Sequence, residues 1–225
     1  MPRGSGGVSP RPSSGVVVGI IPAGGSGERL GAERPKAFVV CAGRPLIEWS
    51  LEVLGSVCDR VVVAAPEGFE DGPDRVRGGD SRSASVRNAL AAAPEATVAV
   101  VHDAARPLVT RDLVERCLAA LEPGVDGAIA AVPMTDTVKE AASDGRVLRT
   151  LDRSALWAIQ TPQVFKADVL RAALERDAAA LAAATDDAAL VEDAGGVIRV
   201  VEAFPENIKV TRASDLRIVE ALLAD

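Results

Sequence analysis

The chain is 225 residues long, 48% hydrophobic and 25% charged, a globular composition with length enough to bury a substantial core in one domain. A formal net charge of -7, 3% aromatic residues and no tyrosine argue against a nucleic-acid surface, which needs basic and stacking side chains. No apolar run approaches the roughly 20 residues needed to cross a bilayer, so a soluble protein is expected.

Residues 1–15, MPRGSGGVSPRPSSG, lack the apolar stretch of a secretory signal and read as a disordered tail ahead of a domain at 16–225. GVVVGIIPA at 15–23 is a β-branched run that ends in a glycine loop, and RPLIEWSLEVLGSV at 44–57 has helical spacing, so a β-loop-α unit opens the fold. Short continuous apolar strands recur in RVVVAAP (60–66), ATVAVVHDAARP (96–107), GAIAAVP (127–133) and GVIRVVEA (196–203). Helical segments are expected between them at 82–93, 110–122 and 166–183. Cys41, Cys58 and Cys117 are odd in number and far apart, which supports neither a disulfide framework nor a close-spaced zinc site and fits a reducing, cytoplasmic compartment.

Continuous rather than alternating apolar strands are expected of a sheet covered on both faces, so the spacing predicts a three-layer α/β/α fold with a mostly parallel sheet. Ligands in such sheets sit beyond the strand carboxyl ends. There PAGGSGER, HDAARP and PMTDT all fall. Residues 133–155 differ, because two extended polar stretches flank SDG, a turn signal, without a thick hydrophobic face. They read as a projecting hairpin arm that needs a surface to pack on, a second subunit being the simplest.

In the loop IPAGGSGERLGAERPKAF at 21–38, Gly24, Gly25, Gly27 and Gly31 let backbone N–H groups approach an anion, and Arg29 and Lys36 add full charges. Pro35 fixes the chain just before Lys36. A Walker loop would need Gly-Lys-Ser/Thr at the start of the following helix, and a dinucleotide fingerprint would need G-x-G-x-x-G. Neither is present. Alone, such a loop is equally well read as a flexible turn with solvated charges.

Together with RPK, the loop resembles the signature of nucleotidyltransferases that activate sugar or alditol phosphates. The rest of the chain, from about residue 16, is similar to the 2-C-methyl-D-erythritol 4-phosphate cytidylyltransferase family of non-mevalonate isoprenoid biosynthesis. The likeness rests on GGDSRSASV (78–86), VHDAARPLV (101–109), DTVK (136–139), LDRSALWAIQTPQVF (151–165), TDDAALVE (185–192) and NIKVT (207–211). Gly24 stands where an alanine is usual, and Ala37 where a glutamine commonly follows the lysine.

The resemblance implies a Rossmann-like nucleotidyltransferase domain that transfers a cytidylyl group from CTP to methylerythritol 4-phosphate. The backbone of Ala23, Gly24, Gly25, Ser26 and Gly27, with Arg29, would hold the triphosphate. Lys36 and Lys209, two of only four lysines, would bracket the transferring phosphoryl group. Asp103 would hold Mg²⁺, while Gly79, Asp80, Ser85 and backbone near Ala104 would read the cytosine. Arg106, Thr137, Arg153, Thr161 and Thr185 would bind the polyol phosphate, with the arm crossing to the neighbouring subunit of a homodimer.

Plainer readings stand beside these: Asp103 as a loop or helix cap, Asp80 as the cap of the next helix, and Ser85 as an ordinary residue of its first turns. Lys209 could be an exposed cation, Arg153 a surface ion pair, and Trp157 packing beneath the 151–165 loop. His102, the only histidine, reads as a hydrogen-bonded structural residue, since a phosphate monoester needs no base to attack. A ribitol 5-phosphate cytidylyltransferase shares much of the pattern, and a non-catalytic nucleotide-binding module could use the same fold.

Overall fold

The computed structural model describes residues 15–25, 27, 30 and 34–224. Ser26, Arg29 and all but the last residue of the expected tail lie outside the described residues. The strands are β1 (Val17–Pro22), β2 (Val40–Cys41), β3 (Arg44–Pro45), β4 (Arg60–Ala65), β5 (Arg75–Arg77) and β6 (Val98–Val101), followed by β7 (Gly127–Pro133), β8 (Lys139–Ala141), β9 (Val147–Thr150), β10 (Trp157–Lys166) and β11 (Ile198–Glu202). The helices are α1 (Leu46–Gly55), α2 (Arg82–Ala91), α3 (Arg111–Ala119), α4 (Ala167–Leu174), α5 (Ala178–Ala183), α6 (Asp187–Asp193) and α7 (Ala213–Ala224).

A seven-stranded sheet runs β11-β7-β10-β6-β1-β4-β5. Its pairs are parallel except at β10, which is antiparallel to both β6 and β7. Successive residues of a strand face opposite sides, and both sides are covered here. Val18, Ile20, Val62 and Ala64 pack against α2, α4, α5 and α6. Val17, Ile21, Val63 and Ala65 pack against α1 and α3. These two cores make the α/β/α layering and explain the unbroken apolar runs. A smaller cluster of Cys41, Leu46, Val210 and Val219 seats α7 beside β2.

The segment expected to be one helix at 166–183 is two, because the chain leaves helical geometry at Glu175 and Asp177 starts α5 by accepting from the Ala180 N–H. β10 was not expected at all, nor were β5, α6 and α7. Residues 139–150 form an antiparallel hairpin, Lys139 opposite Thr150, whose strand residues are all exposed. Among the described residues no helix is long and apolar enough to cross a membrane.

Candidate active site

A cavity of about 380 Å³ opens beyond the carboxyl ends of β1 and β6. One wall is the glycine loop. The Ala23 N–H donates to the Ala64 carbonyl at 2.9 Å and the Lys36 N–H to the Gly25 carbonyl at 2.9 Å, so the loop returns on itself and brings Lys36 to the cavity. Gly27 has φ +77°, and a Cβ there would stand 3.0 Å from the Arg34 carbonyl oxygen, so the turn requires glycine.

The opposite wall is the turn from Gly78 into α2. Gly79 lies so close to the helix that an added Cβ would meet the Ala84 Cβ at 2.5 Å. Ser85 is buried, and its hydroxyl accepts from the Gly79 N–H at 3.0 Å and donates to the Ser81 carbonyl at 2.9 Å. Ser85 therefore shapes the turn that presents Gly79 and Asp80 to the cavity. The cap of α2 is Ser81, whose hydroxyl accepts from the Ala84 N–H at 3.1 Å, and not Asp80. Ala104 closes the floor.

A second cavity of about 260 Å³ lies alongside and includes Arg106, Thr161 and Thr185. Three charged side chains, Arg82, Asp103 and Lys209, line both cavities and form the wall between them. Lys209 Nζ is 2.7 Å from one oxygen of Asp103, and Arg82 Nε donates to the other at 3.0 Å. Arg82 Nη1 reaches on to Asp187 at 2.5 Å. Burial alone would raise the Asp103 pKa, but Arg82 and Lys209 outweigh it and hold the carboxyl well below the usual carboxylate range. Asp103 is thus an anion at any physiological pH. Burial also opposes the charge on Arg82, and Asp187 with Asp103 more than restores it.

The second cavity owes its shape to an irregularity in β10. Pairing with β7 slips between Ile159 and Gln163, which takes residues 160–162 out of the ladder and turns Thr161 inward. Thr161 Oγ1 accepts from the Asp103 N–H at 3.0 Å and donates to His102 Nδ1 at 3.0 Å. His102 Nε2 then donates to the Arg106 carbonyl at 3.2 Å, an acceptor that fixes the proton on that nitrogen. Arg106 Nη1 donates to the Asn207 carbonyl at 2.7 Å, and Asn207 Nδ2 donates to Gln160 Oε1 and to the Thr161 carbonyl. The loop carrying Lys209 is tied down by this network.

His102 is therefore structural. Burial pushes its pKa down to about 4, with Asp103 opposing only in part. The unfolded value is near 6.5, so as pH falls from about 6.5 to about 4 the unfolded chain gains a proton that the fold refuses. Stability is complete above this window and falls through it by on the order of 3 kcal/mol. Urea unfolding at pH 7 and pH 4.5 should show that loss in the wild-type chain and a smaller one in His102→Asn. Equal losses would mean that the imidazole is not held neutral.

Thr137 and Arg153 line neither cavity. Both are exposed at the base of the 139–150 hairpin, where Arg153 donates to the Thr135 carbonyl. Trp157 is 37% exposed, less a packing residue than the sequence suggested. Arg82 and Asp187 escaped the sequence reading. A signal existed for Arg82, since a cation in the first turn of a helix opposes the macrodipole unless anions face it.

Magnesium is commonly held by one or two carboxylates plus phosphate oxygens rather than by an all-protein cage. Among the described residues no group of three or more His, Cys, Asp or Glu side chains could hold a metal ion. Asp103, ionised on the wall common to both cavities, fits the first arrangement, with its oxygens shared between the ion and the Arg82 and Lys209 side chains that face them.

The family model for 2-C-methyl-D-erythritol 4-phosphate cytidylyltransferase matches residues 17–225. The chain is 44% identical to the enzyme of that name from Frankia casuarinae, over 92% of this chain and 81% of the relative. It is 42% identical to that of Nocardia farcinica, over 94% and 95%. The crystal structure of the Thermus thermophilus enzyme of the same name superposes with a TM-score of 0.78 at 33% identity, covering 92% of this chain and 98% of that one. With the fold, the glycine loop and the motifs at 78–86, 101–109 and 207–211 all accounted for, the chain belongs to the 2-C-methyl-D-erythritol 4-phosphate cytidylyltransferase family.

Proposed function

We propose that the chain transfers the cytidylyl group of CTP to 2-C-methyl-D-erythritol 4-phosphate, with CTP in the first cavity and the polyol phosphate in the second. The observation that carries this is the wall of Arg82, Asp103 and Lys209 common to both cavities. Groups bound on either side of one such wall have their phosphates brought together. An oxygen of the monoester phosphate attacks the α-phosphorus of CTP, a P–O bond forms, and the α–β bridging bond breaks to release pyrophosphate.

The nucleophile is already anionic near neutral pH, so the chain's task is alignment and charge neutralisation. Lys36 and Lys209, which line the first cavity, would supply that neutralisation. A rigid turn at Gly79, Asp80 and Ser85 can discriminate cytosine from uracil, because a mismatched donor or acceptor is left desolvated. Magnesium is the proposed cofactor: held by Asp103 and phosphate oxygens, it would supply further neutralisation of the triphosphate. Cys41, Cys58 and Cys117 are buried and, among the described residues, outside any disulfide, which supports a cytoplasmic setting; burial pushes the Cys117 thiol up to about 12.

The test is pyrophosphate release with CTP and methylerythritol phosphate, beside ribitol 5-phosphate and the other nucleoside triphosphates. Release with CTP and methylerythritol phosphate alone is expected. Preference for ribitol phosphate, or CTP binding without release, would overturn the assignment.

The hairpin at 139–150 is proposed to cross to a second copy of the chain and bring Thr137 and Arg153 to the partner's acceptor cavity. Its support is the exposure of Val147 and Leu148, 56% and 52%, on a two-stranded element too small to be stable alone. In a heterodimer of Arg153→Ala and Lys36→Ala chains, one site would carry both lesions and the other neither. Purified heterodimers should then regain roughly half the wild-type turnover, as expected for one intact site in a symmetric pair. No recovery would exclude the crossing.

A further inference from the structure

Asp187 is fully buried and lines neither cavity. Its Oδ2 accepts from Arg82 Nη1, and its Oδ1 has no hydrogen-bond partner. Replacing a buried ion pair by apolar side chains is often neutral or stabilising. Arg82 also stands as a cation in the first turn of α2, against the helix macrodipole. The pair thus carries two costs that stability alone does not justify.

Its location supplies a reason. Asp187 is the first residue of α6, and the two residues before it, Thr185 and Asp186, line the acceptor cavity. Asp186 is tied to β10 through the amide of Gln163, whose Nε2 donates to Oδ2 at 2.8 Å, and caps α6 through Oδ1. Asp187 ties the same turn to α2 through Arg82. The other arm of the Arg82 fork holds Asp103. A guanidinium bridges two carboxylates through a rigid planar fork, whereas an ammonium is a point charge with freely rotating donors that sets no such geometry.

We propose that Arg82 is a positioning residue which, by bridging Asp187 and Asp103, sets the acceptor-binding turn at 185–187 against the phosphate-transfer wall. The proposal rests on the reading of the two cavities given above. Without the Asp187 charge, Arg82 has one carboxylate left, and its whole fork turns toward Asp103. The turn at 185–187 then loses its register with that wall, while the glycine loop and the Gly79 turn keep their own contacts.

Asp187→Asn is the informative variant, since it keeps the side-chain volume and leaves Arg82 paired with Asp103. Steady-state kinetics should show the KM for methylerythritol phosphate raised about tenfold, the size of coupling found within one ion-pair network, with the KM for CTP nearly unchanged. Arg82→Lys should raise the acceptor KM as well, and the double variant should be no worse in that constant than Arg82→Lys alone. A purely structural pair would lower the melting temperature without this split. A folded Asp187→Asn enzyme with wild-type acceptor KM, or strictly additive effects in the double variant, would overturn the proposal. If Asp187→Asn does not fold, Arg82→Lys, which keeps the charge, carries the same KM test. An inactive wild-type chain would instead count against the functional reading itself.

Discussion

Replacing Lys209 by alanine is expected to lower kcat by two to three orders of magnitude while changing the KM for CTP by less than roughly threefold. Lys209 is held beside Asp103 at the edge of both cavities. The Val210 N–H donates to the Ala105 carbonyl at 2.8 Å, and Asn207 is anchored to Gln160, Thr161 and Arg106, so the strand-like segment between them is fixed across the cavity mouth. The ammonium lies 2.7 Å from Asp103, and the Lys209 side chain is 43% exposed. It can therefore meet a phosphate without a large loss of hydration beforehand. Charge on the oxygens around the transferring phosphorus redistributes as the reaction proceeds, and a cation fixed beside them interacts most strongly at that stage. The fold should tolerate the change, because Asp103 keeps its bond from Arg82. Lys36→Ala should behave similarly. A rise in KM with kcat intact would show that these lysines only bind the nucleotide.

Asp103→Asn is expected to raise the Mg²⁺ concentration at half-maximal rate by tenfold or more and to lower kcat/KM by about a hundredfold. Asparagine retains the backbone bond from Asp103 to Thr161 and nearly the same shape, so the His102 network should persist. What is lost is the single anion on a wall that otherwise carries Arg82 and Lys209. Arg82 would still be paired with Asp187, and Lys209 is solvated enough to stand without its partner. The variant thus isolates the carboxylate charge. A Mg²⁺ titration at fixed CTP reads it out, and a curve superimposable on that of the wild type would remove Asp103 from the metal site.

The outer architecture was legible because its signals are local. β1, β4, β7 and α1 fall within a few residues of their expected bounds, since β-branched runs closed by glycine or proline, and helical spacing over a full α1, each have one good solution. β10 was opaque. Its run of Val164 and Phe165 is short, and Gln160, Thr161, Pro162 and Gln163 break the pattern just where the strand leaves the ladder to line the second cavity. The irregularity that hides the strand in the sequence is the one that shapes this cavity. The expected single helix at 166–183 divides because Asp177 has the side chain of a cap, a signal present but masked by surrounding alanines.

The lining of the first cavity was legible where a residue type carries its own chemistry, as with glycines that admit backbone turns and with Lys36 and Lys209 beside phosphate motifs. A side chain whose partner lies far along the chain left no such signal. Arg82 and Asp187 are 105 positions apart, and only the folded chain brings them together. Ser85 shows the intermediate case: the cavity includes it, but its hydroxyl is spent on the backbone of its own turn. Thr137 and Arg153 lie away from both cavities of a single chain, and their expected role stands or falls with the second copy.

The most direct measurement is a crystal structure of the chain with Mg²⁺, methylerythritol 4-phosphate and a CTP analogue whose α–β bridge is a methylene group. The analogue's phosphates are expected against the glycine loop and Lys36, the acceptor phosphate on the far side of the Arg82–Asp103–Lys209 wall, and Lys209 in contact with the phosphates between them. An acceptor phosphate bound elsewhere, with no path of attack on the α-phosphorus across that wall, would contradict it.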